Sequence, residues 1–248
     1  MTPLVITTIL TISALLTAMI SGMIGLGGGT VLVVILYSVG LNPVVAVTVH
    51  AAVQLVSNAA RTLAFLKHVH LPSFGIFLIT AVPTPFLLAD AVGKLDPTWV
   101  RLWMGIFILA VTWLKQYLKA GLQGPPAMLI AGLCAGGLGM VVGATGTLIA
   151  PFYLRDGWKK ETIIGTKALC QASAHVFKLV AFSTASLSIG EHWDIIVPMA
   201  IAVFIGIFAG KALGQRVSET WFRRIFKGLL TLLALKLIIS AAMKLVAA

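Results

Sequence analysis

The chain has 248 residues, of which 59% are hydrophobic and 10% charged, with a mean hydropathy of +1.05. A soluble domain carries about 25% charged residues, so this composition excludes one and points to a polytopic membrane protein. The net charge of +11 does not indicate nucleic acid: most Lys and Arg lie between apolar blocks, and no basic run interleaves with aromatics.

The apolar blocks fall at roughly 4–41, 43–66, 72–92, 98–118, 126–154, 162–184, 194–214 and 220–243, joined by short connectors such as LNP (41–43), GKLDPT (93–98) and RDGWKK (155–160). The first Lys or Arg is Arg61, so residues 1–21 lack the positive start of a signal peptide and are expected in the mature protein. The first block is far longer than the ~20 residues one span needs, and GMIGLGGG interrupts it at 22–29. The fifth is also long and is interrupted by GMVVGATG at 139–146. Such clusters predict broken helices whose freed backbone groups face protein or a polar cavity. Close helix packing through small residues is the plainer alternative.

A shift of 117 residues superposes the halves. Gly29-Thr30 falls on Gly146-Thr147, His50 on Lys167, Gln54 on Gln171, Asn58 on His175 and Arg61 on Lys178. Further on, KLDPTWVR (94–101) matches RVSETWFR (216–223). The expected fold is therefore all-α and polytopic. One transmembrane domain spans 1–248, with repeat one at 1–120 and repeat two at 121–248. Each repeat has four segments and begins with a Gly-broken helix. If that helix is a re-entrant hairpin, each half makes three crossings and the halves are inverted; if it crosses once, they are parallel. Equivalent loops differ in charge, 41–43 having none and 155–160 holding Arg155, Lys159 and Lys160. That difference favours inversion, with both termini outside.

The second and sixth blocks carry polar stripes. At about 100° per residue, His50, Gln54, Asn58 and Arg61 share one narrow arc, as do Lys167, Gln171, His175 and Lys178. A charge at mid-bilayer costs about 2.5–3.5 kcal/mol, so these stripes should face the interior. The chain has seven acidic residues, too few in apolar surroundings to neutralise Arg61, Lys167 and Lys178. A central cationic site suits a small anion. Backbone N–H groups of Gly27, Gly28, Gly29 and Gly146, with hydroxyls of Thr30, Thr145 and Thr147, would complete it. Each residue also has a plainer reading: snorkelling for the cations, interhelical hydrogen bonding for the glutamines, and neutral interior rings for the histidines. Cys134 and Cys170 lie in apolar segments and predict no structural disulfide; Cys170 reads first as a small packed residue. Asp90 reads as a helix-end residue.

GMIGLGGGT, GATGTLIAPF and KALCQASAHVFK resemble the TauE/SafE family of membrane transporters over essentially the whole chain. The resemblance implies export of sulfite or an organosulfonate, such as sulfoacetate, across the cytoplasmic membrane. One departure is Val34, which stands where the second half has Pro151 and which should make the two turns unequal. His50 or His175 could couple transport to protons. The expected partners are a small anion and the lipid bilayer, with a homodimer as an open option and nucleic acid excluded. No metal cluster, catalytic triad or nucleotide loop is visible, so no cofactor and no enzymatic activity are expected. The rival readings are a passive anion channel and a membrane protein handling sulfur through Cys170.

Overall fold

The computed structural model describes residues 3–24, 28–114, 123–185, 192–213 and 219–246, which are helical nearly throughout and contain no strand. Helix α1 (Pro3–Ile24) is followed by α2 (Gly28–Ser38) and α3 (Pro43–Ala64). Asn42 caps α3 by accepting from the Val44 N–H at 3.0 Å, and Pro43 takes the first helical position, where its missing N–H costs nothing. Helices α4 (Leu71–Ala81) and α5 (Pro83–Gly93) follow in succession, jointed at Val82-Pro83. Helix α6 (Pro97–Leu114) starts at Asp96, whose carboxylate accepts from the Thr98 and Trp99 N–H groups at 2.8 and 3.2 Å. Those bonds hold the Asp96 carboxyl below the usual carboxylate range.

The second half begins with α7 (Gly124–Leu133), a π-helical stretch at Cys134–Leu138 and the short α8 (Gly139–Val142). Gly143, at φ +78°, ends α8 in the left-handed region. The chain resumes as α9 (Gly146–Ile149) and a 3₁₀ turn at Ala150–Tyr153, then α10 (Lys160–Thr184), α11 (Trp193–Leu213) and α12 (Glu219–Val246). Six segments among the described residues are long and apolar enough to cross a bilayer: 4–23, 43–64, 71–93, 124–142, 193–210 and 227–246. Helix α10 has 25 residues but carries Lys160, Glu161, Lys167 and Lys178, and it packs between α3, α4 and α5. The chain is a multi-pass membrane protein.

Close approaches through glycine give the helix directions. A Cβ at Gly206 would strike Leu15 and Ala18, and one at Gly210 would strike Met19, so α1 and α11 run parallel. Gly132 meets Phe77 and Thr80 while Gly136 meets Ala81 and Thr84, so α7 runs parallel to α4–α5. The Thr80 hydroxyl donates across this contact to the Leu129 carbonyl at 2.7 Å, and the Thr84 hydroxyl donates to the Thr80 carbonyl. Helices α3 and α10 are antiparallel, because His50 stacks near His175 while Phe65 abuts Gly165. Helices α6 and α12 are also antiparallel: Gly105 meets Ala234 and Ile238, and the Trp113 indole donates to Thr231 at 3.1 Å.

Both glycine breaks turn the chain back on itself. Gly28 returns to Thr17 and Ser21, its N–H donating to the Ser21 hydroxyl at 3.1 Å. Helix α9 likewise packs beside Cys134–Leu138. The two hairpins meet, α2 against α9, at the centre of the molecule.

Helix directions also define two ends. One, the Asn42 end, holds the α2–α3 and α5–α6 loops, where Lys94 pairs with Asp90 at 2.6 Å in the open. The other, the Arg155 end, holds the α3–α4 loop and residues 154–159. There Arg155 donates to Ser73 and to the Gly124 carbonyl and stacks on Trp158. Large apolar side chains such as Leu16, Leu87, Ile205, Phe208 and Leu232 point outward, as a lipid-facing surface requires.

Candidate functional site

A cavity with about 390 Å³ of empty space lies where the hairpins meet the polar stripes. Helix α3 contributes His50, Gln54, Asn58 and Arg61; α10 contributes Lys167, Gln171 and His175; the turns contribute Gly29, Thr30, Thr145, Gly146 and Thr147. One cavity thus gathers twelve of the fifteen residues expected at the site. Because α3 and α10 are antiparallel, Arg61 and Lys167 fall at the same level, toward the Arg155 end. His50 and His175 close the deeper end, with ring centroids 5.8 Å apart.

Helical spacing accounts for this gathering. Positions four, four and three apart keep the stripe on one side of each helix, while Val and Ala on the other sides pack against neighbours. The turns approach closely because they lack side chains. A Cβ on Gly29 would come within 3.0 Å of Gln54, and one on Gly146 within 2.7 Å of Gln171. Each half therefore seats its glycine turn on its own glutamine.

Several groups are held in place. His50 Nε2 donates to the Gly29 carbonyl at 2.9 Å, so in the neutral ring Nδ1 is the acceptor nitrogen. Asn58 Nδ2 donates to the Gln54 main-chain carbonyl at 2.9 Å, and Arg61 Nη2 to the Ser57 hydroxyl at 2.8 Å. Others have no protein partner although buried: His50 Nδ1, His175 Nδ1, Arg61 Nε and Thr147 Oγ1. Buried polar atoms are normally satisfied, and a set of orphans around one cavity marks a place where a polar solute can bind. The wall, among the described residues, carries two basic side chains and no carboxylate. The first turn of α2 also points there, adding the positive end of its dipole. The arrangement can desolvate and hold a small anion.

Of the other three expected residues, two lie elsewhere. Gly28 is buried against α1. Gly27 is outside the described residues. Lys178 is 1% exposed and does not line the cavity. Its ammonium donates to the Gly143 carbonyl at 3.2 Å, at the C-terminal, negative end of α8. A Cβ on Gly139 would come within 3.2 Å of the same nitrogen. Lys178 therefore holds the second hairpin in place. Cys170 is buried in a cluster with Tyr153, Met128 and Ile149, away from the cavity wall.

Ser21 and Ala144 complete the wall and were not anticipated from sequence. Ser21 could have been found, since it directly precedes the glycine cluster. Ser57 lies beside the stripe and steadies Arg61 from one turn away.

The family model for the sulfite exporter TauE/SafE matches residues 10–237. The chain belongs to the TauE/SafE family. Neither a curated protein nor a solved structure matches it. TauE/SafE is a family of transporters, and the matched residues include all those that line the cavity.

Proposed function

We propose that the chain exports a small sulfur-containing oxyanion, sulfite or an organosulfonate such as sulfoacetate, across the cytoplasmic membrane. The observation that carries this reading is a cavity walled by Arg61, Lys167, two glutamines, three threonines and the start of α2, with no carboxylate among the described residues of its wall. Arg61 and Lys167 supply charge. Gln54, Gln171, Asn58, Thr30, Thr145 and Thr147 orient oxygens, and the main-chain N–H groups of Gly29 and Gly146 are available where no side chain intervenes. His50 presents a free acceptor nitrogen beside His175, which suits proton coupling.

The halves are read as inverted repeats. Helices equivalent under the 117-residue shift, α3 with α10, and those matched by KLDPTWVR and RVSETWFR, α6 with α12, pack antiparallel. An axis lying in the membrane plane relates such pairs. Lys67, Arg155, Lys159, Lys160 and Lys227 lie toward the Arg155 end, against Lys94, Arg101 and Lys236 toward the other, and this excess supports reading the Arg155 end as cytoplasmic. The cavity then faces the cytoplasm.

Flux into proteoliposomes tests the reading. Sulfite transport should saturate, respond to an imposed pH gradient, and fall at least about tenfold in kcat/KM, or about 1.4 kcal/mol, with Lys167→Ala or Arg61→Gln. Unsaturable flux indifferent to the pH gradient supports a channel instead. Loss of flux with Cys170→Ser, the cavity variants being active, supports sulfur chemistry at the thiol.

A further inference from the structure

A second void of about 500 Å³ lies toward the Asn42 end, lined by Asn42, Val44, Val47, Val92, Leu95 and Val141 among others. Its lining side chains are apolar apart from Asn42, while main-chain groups give its wall polar surface as well, and none of the lining residues is charged. On α3, Val47 lines the void and His50 lines the cavity; on the second hairpin, Val141 lines the void and Ala144 the cavity. The two spaces are three positions apart in sequence on both elements, about 4.5 Å along α3.

The barrier between them is made by one contact set. A Cβ at Gly143 would lie 2.9 Å from Val33, 3.5 Å from Val47 and 3.6 Å from His50 Nδ1, so α2, α3 and the second hairpin converge on a glycine. Tyr37, 2% exposed at the end of α2, donates its hydroxyl to the Val141 carbonyl at 2.9 Å and ties the first hairpin to the second. Arg101 donates to the Leu41 carbonyl at 3.1 Å and fixes the rim. The opposite end is built differently. Leu154, which stands 117 residues after Tyr37, is 58% exposed, and Arg61, the counterpart of Lys178, lines the cavity instead of capping a hairpin.

We propose that this second void is the outer vestibule of the transport route, and that Val33, Val47 and Gly143 form the septum that the anion must cross, latched by Tyr37 on Val141. This rests on the transport reading above. The anion moves from a wall of cations and amides past His50 into a space whose described lining carries no cation, so the vestibule is a place of release. Opening requires the two hairpins to part, which breaks the Tyr37 bond.

Two reporter cysteines placed on either side of the septum test this in a background carrying Cys134→Ala and Cys170→Ala. Val44→Cys reports the vestibule and Ala144→Cys the cavity. A membrane-impermeant maleimide applied to vesicles of known orientation should label Val44→Cys from the Asn42 end and Ala144→Cys from the Arg155 end. Adding Tyr37→Phe, which keeps the ring and removes one hydrogen bond, should speed labelling of Ala144→Cys from the Asn42 end by about fivefold, the factor that one ordinary hydrogen bond gives. Val47→Ala, which thins the septum without touching the latch, should act in the same direction and carries the test if Tyr37→Phe does not fold. Labelling of Ala144→Cys from the Asn42 end that neither variant changes overturns the septum, as does failure of Val44→Cys to react from that end. Labelling needs no substrate. Absent sulfite flux in the parent protein therefore counts against the transport reading, whereas intact flux with unchanged labelling counts against this route alone.

Discussion

The two hairpins begin from similar glycine-rich sequence and end differently. After its break the first continues as an 11-residue α-helix ending beside Tyr37. The second manages four α-helical residues, then a 3₁₀ turn. Val34 and Pro151 stand at equivalent places. Val34 is fully buried inside α2, whereas proline at 151 removes an N–H and crowds the preceding turn, so α-helix cannot persist there. The second hairpin is compensated by Lys178 on the Gly143 carbonyl, while the matching cation of the first half, Arg61, is left for the cavity. Two similar glycine-rich stretches thus give one long hairpin and one short hairpin held by a buried cation.

The largest expected effect comes from erasing that difference. Val34→Pro should break α2 in its interior and cost about 3 kcal/mol or more, read as a fall in detergent melting temperature and loss of folded protein. Pro151→Val should change stability far less, because the 3₁₀ turn already satisfies the valine's geometric limits. Next come the equivalent cations. Lys178→Ala should lose about 1–3 kcal/mol by orphaning the buried Gly143 carbonyl and should lower kcat as the hairpin loosens. Arg61→Ala should leave the melting temperature nearly unchanged and weaken anion binding, seen as a rise in KM. Equal melting temperatures for the two variants would remove the distinction between a positioning lysine and a cavity arginine.

Smaller effects follow at the glycine seats. Gly146→Ala should weaken anion binding more than Gly29→Ala, since the added carbon approaches Gln171 to 2.7 Å but Gln54 to only 3.0 Å; titration of both variants with sulfite checks the order. The smallest belongs to Asp96. Its folded carboxyl ionises below the ordinary value, so its contribution is fully present above the unfolded carboxylate range and is lost as pH falls through the lowered folded value. Asp96→Ala should melt slightly below the parent at neutral pH, and the two curves should converge in acid.

Much of this was legible from residue spacing. The eight blocks, the breaks at 22–29 and 139–146 and the facing stripes all follow from helical period and from glycine chemistry, and the helices fall where those patterns predict. Height along the helix was not legible. Lys178 shares the angular position of Lys167 but lies 11 residues, about 16 Å, further along. In an antiparallel pair that distance carries it past His50 to where α8 covers the stripe. Which residues share a level depends on the relative direction of α3 and α10, a tertiary fact that no single stripe contains. The vestibule was invisible for a similar reason: Val44, Val47 and Val141 are ordinary core residues until two loops and a hairpin enclose a space between them.

The most direct test of the central cavity is calorimetric titration of detergent-purified protein with sulfite, sulfoacetate, taurine, sulfate and chloride, beside Lys167→Ala. The account predicts selective binding of a sulfur oxyanion, lost or weakened at least about tenfold in the variant. Binding of none of the five, or equal binding by parent and variant, would contradict it and leave the polar stripes as structural glue between α3 and α10.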